Sequence, residues 1–172
     1  MVTLSNILDE RNLLSACGRV MQNEGAPGID WMRTEELFTW LVGHWKELQE
    51  EVKADRYRPV AVRRVEIPKP NGGIRQLGIP TVIDRMLQQS IAQELDKHYD
   101  ATFSEMSYGF RRGRSTHDAL EVAQKYLNEG YDYIVEIDLA QFFDRVNHDR
   151  LMSRLSQQIE DKDVLRLIRR YL

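Results

Sequence analysis

The segment with the clearest chemical content runs from Tyr133 to Asp144, with the sequence Tyr-Ile-Val-Glu-Ile-Asp-Leu-Ala-Gln-Phe-Phe-Asp. Its first half alternates with a period of two, which predicts a buried β-strand over 132–139. That strand carries two acids, Glu136 and Asp138, and buried carboxylates are rare unless a cation pairs with them. Mg²⁺ is one such cation, because it takes oxygen ligands from carboxylates and from substrate phosphates.

For an Asp at a strand end taken alone, a structural interpretation is favoured over metal binding. Asp138 could cap the helix that follows the strand, and Asp144 could form an ion pair with Arg145 or Arg150. Residues elsewhere in the chain decide between the two interpretations.

The charges are unevenly distributed along the 172 residues, whose net charge is −3. Residues 1–55 contain ten acidic and five basic residues, whereas residues 56–75 contain six basic residues and one acidic residue. This asymmetry predicts a local basic, phosphate-binding surface on an otherwise acidic protein. A solvated hairpin with scattered arginines is the alternative.

The composition indicates an intracellular protein. The lone Cys17 falls within a helical pattern, and a single thiol fits reducing conditions. The first residues lack the basic and apolar regions of a signal peptide, and no window approaches eighteen apolar residues. We therefore predict a cytoplasmic protein with no membrane partner.

Periodicity and capping signals predict a mostly helical chain with one β-hairpin. An amphipathic helix is predicted over 5–22, and a second helix is predicted to be capped by Thr34. A hairpin is predicted over 60–78, because the Asn-Gly and Gly-Gly pairs in its turn tolerate positive φ. Later helices are predicted over 82–97, capped by Thr81, over 116–129, capped by Ser115, and near 148–157, capped by Asn147. A last helix is predicted to begin after Asp161.

Four motifs, in this order, resemble those of reverse transcriptases, specifically of the group II intron-encoded type. Residues 23–30, Asn-Glu-Gly-Ala-Pro-Gly-Ile-Asp, resemble the N-terminal extension loop of that family. Residues 64–73, Arg-Val-Glu-Ile-Pro-Lys-Pro-Asn-Gly-Gly, with Leu-Gly-Ile-Pro-Thr-Val after them, resemble its first finger motif. Ser-Tyr-Gly-Phe-Arg at 107–111 is similar to the second, and Ile-Asp-Leu…Phe-Phe-Asp…Val-Asn-His-Asp at 137–149 is similar to the third, which holds the first catalytic aspartate.

The resemblance covers nearly the entire chain and implies an α+β fold. This fold would be the fingers plus partial palm of a right-hand polymerase, mostly helical with a β-hairpin and a short antiparallel sheet. We expect an N-terminal extension over 1–55 with a loop at 23–32, fingers over 56–130, and the beginning of the palm over 131–172. The family's second metal motif, Tyr-X-Asp-Asp, is absent from these residues. The expected function is therefore that of a fragment of an RNA-directed DNA polymerase that is inactive alone.

The resemblance also implies roles for individual residues. Asp138 is expected to be catalytic and to hold Mg²⁺, assisted by the backbone carbonyl of Leu139. Phe143 is expected to be the steric gate against a ribose 2′-OH. The expected nucleotide-binding residues on the hairpin are Arg63, Lys69 and Arg75. The expected RNA- or template-binding residues are Asn23, Gly25, Pro27, Gly28, Arg64, Tyr108, Phe110, Arg111, Arg112 and Arg114. Packing within the fingers is an equal alternative for the two aromatic residues among these.

The implied partners are structured intron RNA, an RNA template, a DNA or RNA primer, and dNTPs. A homodimer is also expected, because strand 132–139 and the last helix have apolar sides with no later neighbour in the sequence. One alternative function is an RNA-binding maturase module that assists intron splicing, and another is a fragment of a retron, diversity-generating or CRISPR-associated reverse transcriptase. Asp138 with Phe143 downstream favours the polymerase over a pure binding module, and the 23–30 loop favours the intron type.

Overall fold

The computed structural model describes residues 1–70 and 72–172, and helices make up most of its regular structure. The α-helices are α1 (Leu4–Ile7), α2 (Glu10–Gln22), α3 (Leu37–Lys53), α4 (Val82–Tyr99), α5 (Thr116–Asn128), α6 (Phe142–Arg145), α7 (His148–Ser156) and α8 (Lys162–Arg170). Two strands, β1 (Arg63–Pro68) and β2 (Ile74–Ile79), and two short 3₁₀ turns, Thr34–Glu36 and Asp100–Thr102, complete the regular elements of the described residues. This arrangement confirms the predicted α+β class. None of these helices is long and apolar enough to cross a membrane.

The chain forms two compact units that differ in how much they bury. The first unit comprises Met1–Asp96 and His148–Leu172, and the second comprises Lys97–Asn147. Fully buried side chains of the first unit include Ile7, Leu13, Leu41, Leu87 and Val164. Residues 97–147 are all described, and none of them is buried. The division into extension, fingers and palm stays a prediction.

The N-terminal helices begin differently from the prediction. The helix predicted over 5–22 divides into α1 and α2, because the Asp9 carboxylate accepts a hydrogen bond from the Arg11 N–H at 3.0 Å and caps a new helix. The prediction that Thr34 caps the second long helix is wrong. Thr34 is buried at the start of a 3₁₀ turn, and the Glu36 carboxylate accepts from the Arg33 N–H at 2.7 Å.

The hairpin forms where the turn chemistry predicted it. Strands β1 and β2 pair antiparallel, with Arg63 opposite Ile79 and Ile67 opposite Arg75. Gly72 and Gly73 adopt φ values of 81° and 88°, which are open to glycine at little cost. Asn71, which also belongs to the predicted turn, lies outside the described residues.

A buried carboxylate, Asp84, connects three segments of the first unit. The Thr81 hydroxyl accepts from the Asp84 N–H at 3.1 Å and donates to its carboxylate at 2.8 Å, which confirms the predicted cap. The hydroxyls of Tyr57 and Tyr171 donate to Oδ1 at 2.8 and 3.1 Å, and the Val60 N–H donates to Oδ2 at 3.1 Å. Desolvation, reinforced by the Asp84 charge, raises the pKa of both tyrosines. These four donors satisfy a carboxylate that burial alone would penalise.

Helix α8 returns to the N-terminal part of the first unit. Its cap, Asp161, accepts from backbone N–H groups of the first helical turn, as predicted, and its other oxygen accepts from the Leu4 N–H at 2.8 Å. At the other end of the helix, Arg170 donates to the Tyr57 carbonyl at 2.7 Å and pairs with Asp55 at 2.6 Å. Both ends of α8 are thereby fixed by polar contacts with residues far away in sequence.

The strand predicted over 132–139 does not form. Within the described residues β1 and β2 pair with each other, and no strand lies beside 132–139. An isolated strand leaves its backbone N–H and C=O groups without a ladder, so alternation alone does not produce one. Ile134 and Ile137 are consequently 82% and 83% exposed.

Candidate nucleotide and nucleic-acid site

The hairpin presents three exposed cations. Lys69 lies in the turn, where its N–H donates to the Gly73 carbonyl at 3.0 Å. Arg75 lies opposite Ile67, and Arg64 lies opposite Gly78. Because directly paired residues share a face and neighbours along a strand alternate, Arg75 and Arg64 project from opposite faces. None of the three cations forms an ion pair with another described residue.

Arg63 differs from these three cations, because internal contacts occupy its guanidinium. Its Nε and Nη2 donate to the Pro27 carbonyl at 2.9 and 2.7 Å. The same guanidinium lies over the Trp31 ring, 4.9 Å from its centroid. Arg63 therefore attaches the 23–32 loop to the hairpin, so its predicted role in triphosphate binding would require it to leave these contacts.

The loop at 23–32 also packs against the start of α4. Gly28 is buried, and a Cβ there would lie 2.7 Å from the Thr81 Cα and 2.9 Å from the Pro80 carbonyl oxygen. A side chain at 28 would therefore force the loop away from the backbone of residues 80–81, just before α4. Gly28 supports the loop and is not exposed to RNA, whereas Asn23 is exposed and Pro27 is half-buried.

Sequence reasoning missed Arg85 on α4. Its Nη2 donates to the Ala26 carbonyl at 2.9 Å, and a Cβ at Gly25 would lie 2.5 Å from its Nη1. Glycine at 25 thus leaves room for the guanidinium beside the loop. No local motif marks Arg85, which occupies an ordinary polar position between the apolar positions of an amphipathic helix.

In the second unit, two predicted RNA-binding arginines have internal partners. Arg111 pairs with Asp100 at 2.9 Å and donates to the carbonyls of Ser104 and Ser107 at 2.8 and 3.2 Å. This hydrogen-bonded partner lowers the pKa of the Asp100 carboxyl. The guanidinium also lies 5.5 Å from the centroid of the Phe103 ring. Arg111 therefore organises the loop that contains it.

Arg114 plays a similar part in the same loop. It pairs with the carboxylate and carbonyl of Glu105 and lies over the Tyr108 ring, 5.4 Å from the centroid. Tyr108 is half-buried beneath it. Phe110, by contrast, is fully exposed and has a positive φ of 56°, and Arg112 is exposed. Of the predicted RNA-binding residues in this loop, Phe110 and Arg112 are thus exposed, whereas Arg111 and Arg114 have internal partners.

Asp138 and Phe143 lie on the exposed part of the second unit. Asp138 and Leu139 belong to a segment without regular secondary structure at the place of the predicted strand, and both are exposed. Phe143, in α6, is 85% exposed and meets Phe142 edge to face, with ring centroids 5.5 Å apart. Phe142 is exposed as well.

The described residues do not by themselves fit the expected Mg²⁺. Among them, no group of three or more His, Cys, Asp or Glu side chains could hold a metal ion. Mg²⁺ demands near-octahedral oxygen coordination, and Asp138 with the Leu139 carbonyl supplies only a small part of it. The metal assignment therefore stays a prediction.

Comparison with known proteins shows the family. The model of the family described as reverse transcriptase (RNA-dependent DNA polymerase) matches residues 67–172. The chain therefore belongs to the reverse transcriptase family.

The relatives specify the kind of reverse transcriptase. The chain is 31% identical to Protein YkfC of Escherichia coli over 96% of its own length and 45% of that protein. It is 34% identical to the group II intron-encoded protein LtrA of Lactococcus lactis over 74% of the chain and 21% of LtrA. It is 30% identical to the putative COX1/OXI3 intron 1 protein of Saccharomyces cerevisiae over 93% of the chain and 19% of that protein. The predicted resemblance to the group II intron-encoded type is confirmed, and the chain spans less than half the length of these relatives.

Proposed function

We propose that this chain is the fingers and the beginning of the palm of an RNA-directed DNA polymerase encoded by a group II intron. In this proposal residues 1–55 form the N-terminal extension, 56–130 the fingers and 131–172 the first part of the palm. The observation that carries it is the hairpin, which exposes Lys69 and Arg75, neither of which forms an ion pair with another described residue. Exposed cations on a hairpin can bind the phosphates of a nucleotide, and phosphoryl transfer requires such positioning and neutralisation of negative charge.

Lys69 and Arg75 are proposed to bind the triphosphate of the incoming dNTP. Phe143 would exclude a ribose 2′-OH, because a ring beneath the sugar overlaps with that hydroxyl. Asp138 would be one of several ligands of a divalent ion, which we propose to be Mg²⁺. Its other ligands would be substrate phosphates and carboxylates that these 172 residues do not contain. The isolated chain is accordingly expected to extend no primer.

The RNA-binding surface is proposed to use a narrower set of residues than the motifs indicated. Phe110 would stack on an unpaired base of template or intron RNA, and Arg112 and Arg64 would contact phosphates. Arg111 and Arg114 would act indirectly, by holding the loop that presents Phe110. A DNA or RNA primer would complete the set of partners. A homodimer is proposed through the exposed apolar residues of 132–139.

Nucleotide binding is tested in an active polymerase that contains this chain. Lys69→Ala and Arg75→Ala should each raise the KM for dNTP about tenfold or more, because each removes a charge-assisted hydrogen bond. RNA affinity, measured by fluorescence anisotropy, should stay within about twofold, since the other phosphate contacts remain. Lys53→Ala, at an exposed lysine near the end of α3, is the matched control. An unchanged KM in both hairpin variants would remove the nucleotide role.

A second candidate is an RNA-binding module that assists splicing, and the exposure of Phe110 favours it. A fully exposed aromatic ring is unfavourably hydrated, and a positive φ is an unfavourable backbone conformation for phenylalanine. Stacking of the ring on an RNA base would offset both unfavourable terms. The isolated chain should then bind RNA with a strong salt dependence despite its net charge of −3. Phe110→Ala and Arg112→Ala should weaken this binding, whereas Leu120→Ala, at another exposed apolar residue of the second unit, should not. Retention of splicing assistance by a polymerase-inactive variant would favour this function over synthesis.

A further inference from the structure

A groove of about 260 Å³ opens in the first unit along α3. Five of its lining residues lie on α3 at the spacing of one helix face: Trp40, His44, Glu47, Leu48 and Glu51. Asp30 and Arg58 are the other charged residues of the lining. Three carboxylates against one guanidinium leave this α3 groove with a net charge of −2 when His44 is neutral.

The carboxylates on α3 are not engaged by the rest of the described chain. Neither Glu47 nor Glu51 forms a side-chain hydrogen bond or an ion pair with another described residue. Arg58 donates instead to two backbone carbonyls, at 2.9 and 3.0 Å. The charge of Arg85 acts on Asp30, although these two residues form no ion pair. Glu47 and Glu51 are therefore available to a cation from outside the chain.

A further carboxylate lies behind the wall of the α3 groove. Asp84 is 1% exposed, and its four hydrogen bonds come from neutral donors. Three of these donors belong to Tyr57, Val60 and Thr81, which line the groove. Because water and salt screen a buried charge poorly, the Asp84 carboxylate adds to the negative potential in the groove.

An aromatic wall completes the α3 groove. The Trp40 and His44 rings stack in parallel, with centroids 4.7 Å apart, and the His44 Nδ1 donates to the Trp40 carbonyl at 2.8 Å. Among aromatic side chains, tryptophan attracts cations most strongly, and the planar guanidinium of arginine also stacks on its ring. A carboxylate can bind the edge of the same guanidinium through two parallel hydrogen bonds. This combination favours arginine over a compact ammonium group.

We propose that the α3 groove binds an arginine side chain that a basic segment of a partner protein presents. The guanidinium lies against Trp40 and donates to Glu47 and Glu51, and the methylene stem packs on Leu48. The negative charge of the groove repels the phosphates of RNA. This protein-binding site goes beyond the proposed polymerase function and shares no residue with the basic hairpin.

The test uses the full chain with five probes. Three are capped Gly-Gly-Xaa-Gly-Gly peptides with arginine, lysine or citrulline at the centre, where citrulline has the shape of arginine without its charge. The fourth is spermidine, a free polyamine, and the fifth is a single-stranded RNA of mixed sequence. NMR titration of the Trp40 indole N–H, which is assigned by its loss in Trp40→Leu, measures binding to the groove.

The arginine peptide should shift the Trp40 signal and bind about tenfold more tightly than the citrulline peptide, because charged hydrogen bonds are lost with citrulline. The lysine peptide should bind with intermediate affinity. Glu47→Gln combined with Glu51→Gln should weaken binding of the arginine peptide about five- to tenfold. Glu10→Gln combined with Glu50→Gln is the control, because it removes the same charge at two exposed residues outside the groove. The control should bind like the unmodified chain.

The other outcomes would each overturn the proposal. Equal affinity for the arginine and citrulline peptides, or for the groove variant and its control, would show that the groove does not recognise the cation. Spermidine that binds as tightly as the arginine peptide would identify a free polyamine as the occupant. RNA that shifts the Trp40 signal and displaces the peptide would identify the groove as part of the nucleic-acid surface.

Discussion

The two units of the molecule hold their candidate residues by different means. In the first unit the hairpin and the 23–32 loop are attached to a core in which Leu87 and Val164 are fully buried. In the second unit no residue from 97 to 147 is buried, and the loop that carries Phe110 is shaped by two arginine clamps, Arg111 with Asp100 and Arg114 with Glu105. Local polar contacts can thus shape a loop without burial, whereas the segment around Asp138 is simply exposed.

The largest expected effect separates chemistry from stability. In an active polymerase that contains this chain, Asp138→Ala should lower primer extension by on the order of 10³-fold or more, because one ligand of the metal site would be lost. The thermal midpoint of the isolated chain should hardly move, since Asp138 is exposed and no hydrogen bond or ion pair joins its side chain to another described residue. RNA affinity should also persist. Substantial polymerase activity in Asp138→Ala would invalidate the catalytic assignment.

A pair of apolar truncations tests the contrast in burial directly. Leu87→Ala should reduce the free energy of unfolding by about 3 kcal/mol, because it creates a cavity at a fully buried site. Ile137→Ala should change it by less than about 0.5 kcal/mol, because that side chain is largely exposed. Urea unfolding measures both. A cost above about 1.5 kcal/mol for Ile137→Ala would show that 132–139 is buried in solution, and the contrast between the units would fail.

A pair of glycine substitutions tests how the loop is attached to the first unit. Gly28→Ala should destabilise the chain by about 2 kcal/mol, because its Cβ would overlap with the backbone of residues 80–81. Gly18→Ala should stabilise it by about 0.5–1 kcal/mol, because position 18 is a helical site with open space around it. If the two substitutions had equal effects on urea unfolding, the close packing of the loop would be disproved.

The smallest expected effect concerns the ion pair between Arg111 and Asp100 in the second unit. The Arg111 hydrogen bond holds the pKa of Asp100 below its ordinary value, so the ionised carboxylate favours the ordered loop. That contribution is complete above the unfolded pKa of about 3.9 and is lost as the pH falls through the lower folded pKa. The protection factors of the amides at residues 100–114, which are exchange rates corrected for the intrinsic effect of pH, should therefore fall in acid, below about pH 4. Asp100→Asn should show lower protection factors already at neutral pH and little further change in acid.

The sequence predicted correctly those features that depend on residues close together in the chain, such as helix caps. The Thr81–Asp84 and Ser115–Asp118 capping boxes and the Asp161 cap formed as predicted, because each depends on residues a few positions apart. The glycine pair at 72–73 likewise marked the hairpin. The break at Asp9 was missed because the apolar periodicity continues across it.

The candidate site was harder to predict, because charge in a sequence does not reveal which acceptors are nearby in the fold. Arg63 and Arg111 appeared to be free phosphate ligands, yet the Pro27 carbonyl and Asp100 occupy them. Arg85 escaped notice for the converse reason, since its relation to the 25–28 loop exists only in three dimensions. The strand over 132–139 failed because period-two alternation does not specify a pairing partner.

The contacts of Asp84 have a consequence for how the chain is made. Two of the donors to its carboxylate, Tyr57 and Tyr171, are separated by more than a hundred positions. During synthesis from the N-terminus, residues 1–96 emerge from the ribosome before helix α8. Until α8 is made, Asp84 lacks the hydrogen bond from Tyr171, and the Leu4 N–H lacks its acceptor on Asp161. The second unit, whose clamps are local, can order itself during that delay. The core that dominates stability is therefore the part of these 172 residues that is completed last.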